Sequence, residues 1–353
     1  MIRELSKQGI ENSVFVPTYR IGSEGVTPDD NVTVSLCFKK RDRLFFDLKQ
    51  KKIINALEEK FDISSFDIIH AYTLFTDGNC ARQLSKKYKI PYVVAVRNTD
   101  INSFFKKRPL LRNRGIRIME DAKKVFFLSD AYREEMIGRY VPQRLMVDIS
   151  DKIETIPNGI DGFWIENKNE NKDYSEVISR IENKNIRIVY AGIIDSNKNI
   201  ELTISALDTL EKDGWNVSFT IVGKVADENI YKHLVKKQYV YYSEQKTKEE
   251  LIKIYRKNDI FIMPSKAESF GLVYAEAMSQ GLPVIYTRGQ GFDGQFEEGV
   301  VGFSVDSSDE KELKEKIIMT AKNYKALSLN CLNLSNKFQW ETIAERYVKA
   351  YTQ

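Results

Sequence analysis

Histidine and cysteine are scarce in this 353-residue chain: two of the first, His70 and His233, and three of the second, Cys37, Cys80 and Cys331. The cysteines are odd in number, far apart and free of any C-x-x-C pair, so they read as reduced structural thiols and exclude a disulfide framework or a zinc ribbon. No His/Cys/Asp cluster has metal-ligand spacing, so no metal site is expected. Long apolar runs are also lacking. Nothing approaches the roughly 18–20 residues of a bilayer-spanning helix, and the start MIRELSKQGIEN has no signal-peptide core, which predicts a cytoplasmic protein. Neither charge sign dominates: 54 Lys and Arg face 50 Asp and Glu, and a net +4 is too small a footprint to predict nucleic acid as a partner. A 42% hydrophobic and 29% charged composition is that of an ordinary globular protein, and the length favours two domains.

What is present is alternation. Short β-branched or aromatic runs at 13–17, 32–38, 66–72, 92–97, 124–129, 187–192, 217–223, 259–265 and 283–287 are separated by helical patterns at 43–60, 77–89, 198–212, 247–257, 269–280 and 309–324. That is the pattern of an α/β fold with parallel sheets and crossover helices. The polar, Asn/Lys/Glu-rich stretch 159–184 reads as a linker, giving domains at 1–160 and 161–338 and an amphipathic helix at 339–353. The first domain opens on a helix, MIRELSKQG, where a doubly wound domain normally opens on a strand and glycine turn, so both are expected to be missing.

The chemistry concentrates in PSKAESFGLVYAEAMSQGLPVIYT, 264–287: a buried strand, a loop, a helix from Gly271 to Gln280, a Gly281 stop and another strand. Ser269 is an N-cap type, and the amides of Phe270, Gly271 and Leu272 at the helix start form an anion site. Glu276 stands among apolar residues on that helix. It is either a surface glutamate paired with a lysine or a carboxylate hydrogen-bonded to something the site binds.

With seven residues between Glu268 and Glu276, ESFGLVYAE resembles the E-x7-E signature of the retaining GT-B glycosyltransferases, family 4, of the bacterial polysaccharide-biosynthesis type. IPNGID at 156–161, YAGIIDSNKNIELTISAL at 190–207, GQGFDGQFEEGVVGF at 289–303 and FQWETIAERY near the C-terminus extend the resemblance in order. It implies GT-B architecture: two Rossmann-like βαβ domains facing across a cleft, with the C-terminal helix crossing back to the first. It also implies transfer of a sugar from a nucleotide diphosphate sugar to a glycan or lipid-linked acceptor, in cell-surface polysaccharide biosynthesis, with no tightly bound metal or cofactor. Glu276 matches the ribose-binding glutamate and Glu268 the sugar-binding one. Ser269, Phe270, Gly271 and Leu272 match the donor loop, Lys198 the diphosphate lysine, and Gly192 the glycine of the family's Gly-Arg pair.

The sequence departs from the family at two places. Ile193 follows Gly192 where the family has Arg, leaving Lys224 or Lys266 as candidate replacements. In the first domain RNTDIN replaces a loop that commonly holds a His, so Arg97 and Asp100 stand on the acceptor side there. His70, ending a strand, is either a pocket residue or a core histidine. Residues 104–117, FFKKRPLLRNRGIR, carry six cations (Lys106, Lys107, Arg108, Arg112, Arg114, Arg117) and no acid among apolar residues. They form either a solvated surface or an anionic-membrane face on the inner side of the membrane. Two readings of other kinds are a GT-B nucleotide-sugar epimerase and a non-catalytic or truncated nucleotide-binding subunit. A two-carboxylate hydrolase ranks lower, because it needs neither Lys198 nor an anion-binding helix start. Base, sugar, acceptor, linkage and oligomeric state are not encoded legibly.

Overall fold

A computed structural model describes residues 1–20 and 31–353, and the chain divides into two compact units. Residues 1–128, 133–156 and 344–353 make the first, and residues 129–132 and 157–343 the second.

In the first unit α1 (Ile2–Lys7) precedes β1 (Val14–Thr18), which pairs in parallel with β2 (Val32–Leu36), Val14 opposite Val32. Then α2 (Phe46–Lys60) leads to β3 (Ile69–Ala71), α3 (Thr76–Tyr88) to β4 (Tyr92–Val96), and α4 (Arg112–Asp121) to β5 (Lys124–Phe127). Helix α5 (Asp130–Tyr140) and the short α6 (Met146–Ser150) come before β6 (Ile153–Thr155). Strands β3 to β6 form a four-stranded parallel sheet in chain order. Every residue of β4, YVVAV, is buried, as a strand covered on both faces requires. Among the described residues the unit thus carries two sheets, since β1 and β2 share no ladder with β3.

One expectation for this unit is corrected and another is narrowed. RNTDIN is not an open loop: its Asp100 is 1% exposed and accepts the backbone N–H groups of Leu74 at 3.0 Å, Phe75 at 3.2 Å and Arg97 at 2.9 Å. Burial pushes this carboxyl up to about 6 even with three N–H donors drawing it down. Asp100 is therefore an internal anchor tying the β3–α3 turn to the end of β4, and it leaves the acceptor-side set. The basic stretch is narrowed, since two of its six cations are paired. Phe105 is fully buried and Phe104 stacks on Phe75 with ring centroids 4.4 Å apart. Lys106 pairs with Glu135 at 2.8 Å, Arg114 with Asp47 at 2.5 Å, and Arg112 donates to Phe105 O at 2.7 Å. Lys107, Arg108 and Arg117 are exposed, and Leu110 is 96% exposed.

His70 is a core histidine. Its ring stacks on Tyr72 at 4.6 Å, Tyr347 and Phe126 flank it, and Nδ1 lies 2.7 Å from the Tyr351 hydroxyl. Burial is the main cause, with Arg97 second, that holds its pKa down at about 3, so the ring is neutral. Arg97 itself donates from Nε to Tyr72 O at 3.0 Å.

The second unit includes α7 (Gly162–Glu166) and α8 (Tyr174–Glu182) within the stretch expected as a linker. Arg180 explains the difference. Its guanidinium meets Asp259 through two bonds, at 2.6 and 3.0 Å, and Asp259 also accepts Arg187 N at 2.8 Å, so α8 is fastened to the sheet by a pairing that local composition does not show. Next come β7 (Asn185–Ala191), α9 (Ile200–Lys212), β8 (Asn216–Val222), α10 (Glu228–Leu234), β9 (Val240–Ser243), α11 (Lys248–Arg256) and β10 (Ile260–Met263). The chain continues through α12 (Leu272–Ser279), β11 (Val284–Thr287), β12 (Gly302–Val305), α13 (Glu310–Lys322), α14 (Tyr324–Leu334) and α15 (Trp340–Thr352). The six strands are all parallel in the order β12-β11-β10-β7-β8-β9. From β7 the chain winds outward through β8 and β9, then restarts at β10 on the other side. The switch point lies between β7 and β10, where open α/β sheets hold ligands beyond the carboxyl ends of their strands.

Replacing Asp100 with Ala strands three backbone N–H groups in the interior of the first unit, and each unsatisfied donor costs about 1–3 kcal/mol. The Asp100→Ala protein is expected to unfold at a clearly lower urea concentration, and an unchanged midpoint would refute the anchoring role.

Candidate functional site at the sheet switch point

The loops that follow β7 and β10 carry the expected donor residues, and asparagines join the two loops. Asn197 Nδ2 donates to Ala267 O at 2.9 Å, its Oδ1 accepts Ala267 N at 3.1 Å, and its carbonyl accepts Lys266 N at 2.8 Å. Asn199 adopts the left-handed region, φ 57°, and its Nδ2 donates to Pro264 O at 3.0 Å and Ser307 O at 2.8 Å. Asp195 accepts the amides of Asn197 at 3.0 Å and Lys198 at 2.9 Å, which folds the DSNKN turn tightly before α9.

This turn delivers Lys198 to Glu268, with Nζ to Oε2 at 2.6 Å and side chains only 20% and 13% exposed. Glu268 is fixed through its backbone as well. Its amide donates to Gln290 Oε1 at 2.9 Å, its carbonyl accepts Gly291 N at 3.1 Å and the Tyr132 hydroxyl, and its own Oε1 takes Ser269 N at 3.0 Å. Gly291 is required here: a Cβ on it would lie 2.0 Å from Ser269 O. The Gly-rich 289–294 segment thus lies directly against the Glu268 loop.

Helix α12 begins one step later than expected. Gly271, φ 78°, is its N-cap, and a Cβ there would come within 2.4 Å of the Tyr274 ring. Ser269 makes no cap and its amide is taken by Glu268, which corrects the expectation for that residue. The amides of Leu272 and Val273 head the helix without intrahelical acceptors, at the positive end of its dipole. Leu272 is 40% exposed, whereas Phe270 is 2% exposed and packs on Phe338, so Phe270 contributes its backbone.

Glu276 is partly buried on the same helix, among the buried Tyr274, Ala275, Ala277 and Met278. Burial pushes its carboxyl up to about 7, against a pull from Lys248, while Lys248 pairs with Asp161. Gly192 closes the floor. Its amide bonds to Val222 O at 2.9 Å, and a Cβ on Gly223, φ 152°, would fall 1.7 Å from Gly192 O, so the strand ends approach as only glycine allows. Ile193 is 49% exposed, and the Tyr190 hydroxyl donates to its carbonyl at 2.7 Å.

The structure therefore brings together Gly192, Lys198, Glu268, Ser269, Phe270, Gly271 and Leu272, with Glu276 one helical turn further along. Arg97 and His70 belong to the other unit, as the previous section describes. Sequence reasoning missed Asn197, Asn199 and Gln290. DSNKN and GQG carried turn signals that could have found them, but the partners of the two asparagines lie 65 to 108 residues away along the chain, and Gln290 meets Glu268 across 22 residues. Among the described residues no three His, Cys, Asp or Glu side chains gather as metal ligands.

Asn197→Ala removes both side-chain links between the loops, for an expected loss of about 1–2 kcal/mol. Hydrogen exchange at the amides of Lys266 and Ala267 should accelerate, and unchanged protection there would show that the loops hold without Asn197.

Comparison with known proteins agrees with this geometry. Residues 1–162 match Glycosyltransferase Family 4 and residues 171–331 match Glycosyl transferases group 1. An uncharacterized glycosyltransferase of Methanocaldococcus jannaschii is 24% identical over 300 residues, 81% of this chain and 75% of the relative. Among solved structures, sucrose-phosphate synthase of Thermosynechococcus elongatus superposes with a TM-score of 0.71 at 18% identity, covering 99% of this chain and 90% of the other. HepE of Anabaena, in complex with UDP and glucose, superposes at 0.62 and 18% identity over 91% and 86%. With two adjoining family matches over nearly the whole chain and GT-B neighbours for its two-domain fold, the protein belongs to the family 4 GT-B glycosyltransferases.

Proposed function

We propose that the protein moves a glycosyl group from a nucleoside-diphosphate sugar to a hydroxyl of a glycan or lipid-linked acceptor, with retention of anomeric configuration, in cell-surface polysaccharide biosynthesis. The observation that carries the reading is the Lys198–Glu268 pair at the switch point, beside the amide-rich start of α12. An ammonium beside the amides that head a helix suits a diphosphate that gains charge as it departs. The UDP and glucose held by HepE, a protein of similar fold, support the donor class.

In this reading Glu276 accepts the ribose hydroxyls, Glu268 accepts hydroxyls of the donor sugar, and Lys198 turns to the diphosphate. The acceptor oxygen attacks C1 on the face the diphosphate leaves. The C1–O(acceptor) bond forms as the C1–O(phosphate) bond breaks, and the acceptor proton passes to the departing phosphate oxygen. With Ile193 in place of the family's arginine, Lys198 carries the diphosphate charge alone among the switch-point side chains, while the exposed Lys224 and Lys266 flank the loops. Arg97 remains the acceptor-side candidate.

The ribose role gives Glu276 a pH signature. A carboxyl raised to about 7 accepts hydroxyls fully only when ionised, so UDP affinity should rise between pH 6 and 8. Part of that rise belongs to the phosphate of UDP itself, so Glu276→Gln is the reference. By calorimetry the variant should bind UDP at least tenfold more weakly at pH 8 and lose the additional pH dependence. Equal affinity in the two proteins would remove Glu276 from the site.

For a lipid-linked acceptor the exposed remnant of the basic stretch supplies the contact: Lys107, Arg108 and Arg117 around the apolar tip Leu110. Each cation near an anionic bilayer contributes about 1 kcal/mol. Reversing Lys107 and Arg108 to Glu is therefore expected to weaken binding to phosphatidylglycerol vesicles by more than tenfold, with a smaller effect on phosphatidylcholine. Identical sedimentation of the two proteins with anionic vesicles would exclude this face.

A further inference from the structure

Glu276 has a buried side that binding a donor does not use. Helices α7, α11 and α12 meet at their carboxyl ends in one knot of hydrogen bonds. Arg256, the last residue of α11, donates from Nη2 to Asn167 O at 2.8 Å and from Nε to Gln280 Oε1 at 3.0 Å. Gln280 Nε2 in turn donates to Asn167 O at 3.1 Å. Asn167 follows α7 and Gln280 follows α12. Glu276 lies one helical turn before Gln280, so it stands on the face of α12 turned to α7 and α11. Trp164 precedes Asn167 on α7 by about a turn, and Tyr255 is the neighbour of Arg256. The three side chains therefore converge just inside the knot.

Two donors in this space have no acceptor. The Tyr255 hydroxyl and Trp164 Nε1 are buried without a hydrogen-bond partner, on side chains 0% and 1% exposed whose rings lie 5.8 Å apart. Buried polar groups are rarely left so. Among the described residues no hydrogen bond draws the Glu276 carboxyl down: burial raises it most, Lys248 lowers it and Asp161 raises it. Lys248 and Asp161 are paired with each other where α11 and α7 begin. Donors without an acceptor thus stand beside an acceptor without a donor. Of the two, the hydroxyl can turn about its C–O bond and the indole N–H cannot. The Tyr255 hydroxyl also feels the charge of Glu276, which after burial is the second cause that pushes it up.

We propose that Tyr255 is a positioning residue for Glu276: its hydroxyl donates to the inner oxygen of the ionised carboxylate and leaves the outer oxygen to the ribose hydroxyls. The inference rests on the ribose reading of Glu276. The Tyr255 ring is itself held, tilted 40° against Trp164 and edge-on to Phe261 at 6.1 Å, so rotation of its hydroxyl is the freedom it keeps. A carboxylate fixed at one oxygen presents the other in a set direction, which lowers the ordering cost of binding. A hydrogen bond to the charged form also favours that form, so Tyr255 helps Glu276 to ionise where burial opposes it.

Tyr255→Phe removes the hydroxyl and keeps the ring. In protein labelled with 13C at the glutamate carboxyl carbon, the resonance absent from Glu276→Gln reports Glu276. Its titration midpoint is expected at about 7 in the unaltered protein and about one pH unit higher in Tyr255→Phe, the effect of losing one hydrogen bond to a charged group. By calorimetry the variant should bind UDP about fivefold more weakly at pH 7, because a carboxyl raised by one unit is ionised about a fifth as often there. Placed on Glu276→Gln, the same substitution should leave UDP affinity unchanged. A mere packing role would instead lower the urea midpoint at pH 5, where Glu276 is protonated, and that midpoint should hold. An unchanged Glu276 titration in Tyr255→Phe overturns the proposal whatever UDP does. A raised midpoint with normal UDP binding by Glu276→Gln confirms the hold of Tyr255 on Glu276 and removes the ribose reading alone. Should Tyr255→Phe fail to fold, 3-fluorotyrosine at position 255 supplies the second measurement. Its fluorine resonance should titrate with the midpoint of Glu276, and a resonance flat from pH 5 to pH 9 overturns the proposal.

Discussion

Lys198 and Glu268 meet at 2.6 Å with little of either side chain in contact with water, and the loops after β7 and β10 meet at that pair. Removing one partner would leave the other's charge poorly solvated, the circumstance in which loss of an ion pair costs several kcal/mol. Neither residue holds the other in place unaided. Asp195 coils the turn that carries Lys198, Asn197 ties that turn to the β10 loop, and Gln290 and Tyr132 clamp the backbone of Glu268. The pair is positioned by hydrogen bonds between the backbone of its loops and the side chains of Asp195, Asn197, Gln290 and Tyr132, so its geometry does not rest on the ion pair alone.

The same economy places the helix start. Gly271 is held in a conformation that suits glycine, because the Tyr274 ring occupies the space a side chain would need, and Gly291 lies under Ser269 for a similar reason. These two close approaches set the amides of α12 and the Glu268 carboxylate at one strand end. The sheet order places that end at the switch point, so local chain geometry and global winding converge on one place in the second unit.

Much of this was legible in the residues. All nine strand runs read from the sequence form strands: β4 and β10 are buried along their whole length and need continuous apolar sequence, while β8 alternates buried Val217, Phe219 and Ile221 with part-exposed Ser218 and Thr220. The strands not foreseen, β6, β9 and β12, have three or four residues each, too few for period alone to mark them. Asp100 was read as a site residue because a carboxylate in a loop after a strand has that appearance; only the three amides converging on it disclose an anchor. In the basic stretch the sequence does not show that Asp47 and Glu135, distant along the chain, pair with two of its six cations. What the sequence hides in each case is a partner far along the chain.

Helix α15 has one further consequence. It starts with Trp340 against Gly159 in the second unit, and residues 344–353 complete the first, where Tyr347 and Tyr351 enclose His70 and Arg346 reaches Glu154. On the ribosome, the first unit emerges long before those tyrosines are made. His70 and Phe126 must wait, with an unfinished wall, until the whole second unit has been synthesised. Order of synthesis and order of completion are therefore reversed for this chain: the half that is made first is the half that finishes last.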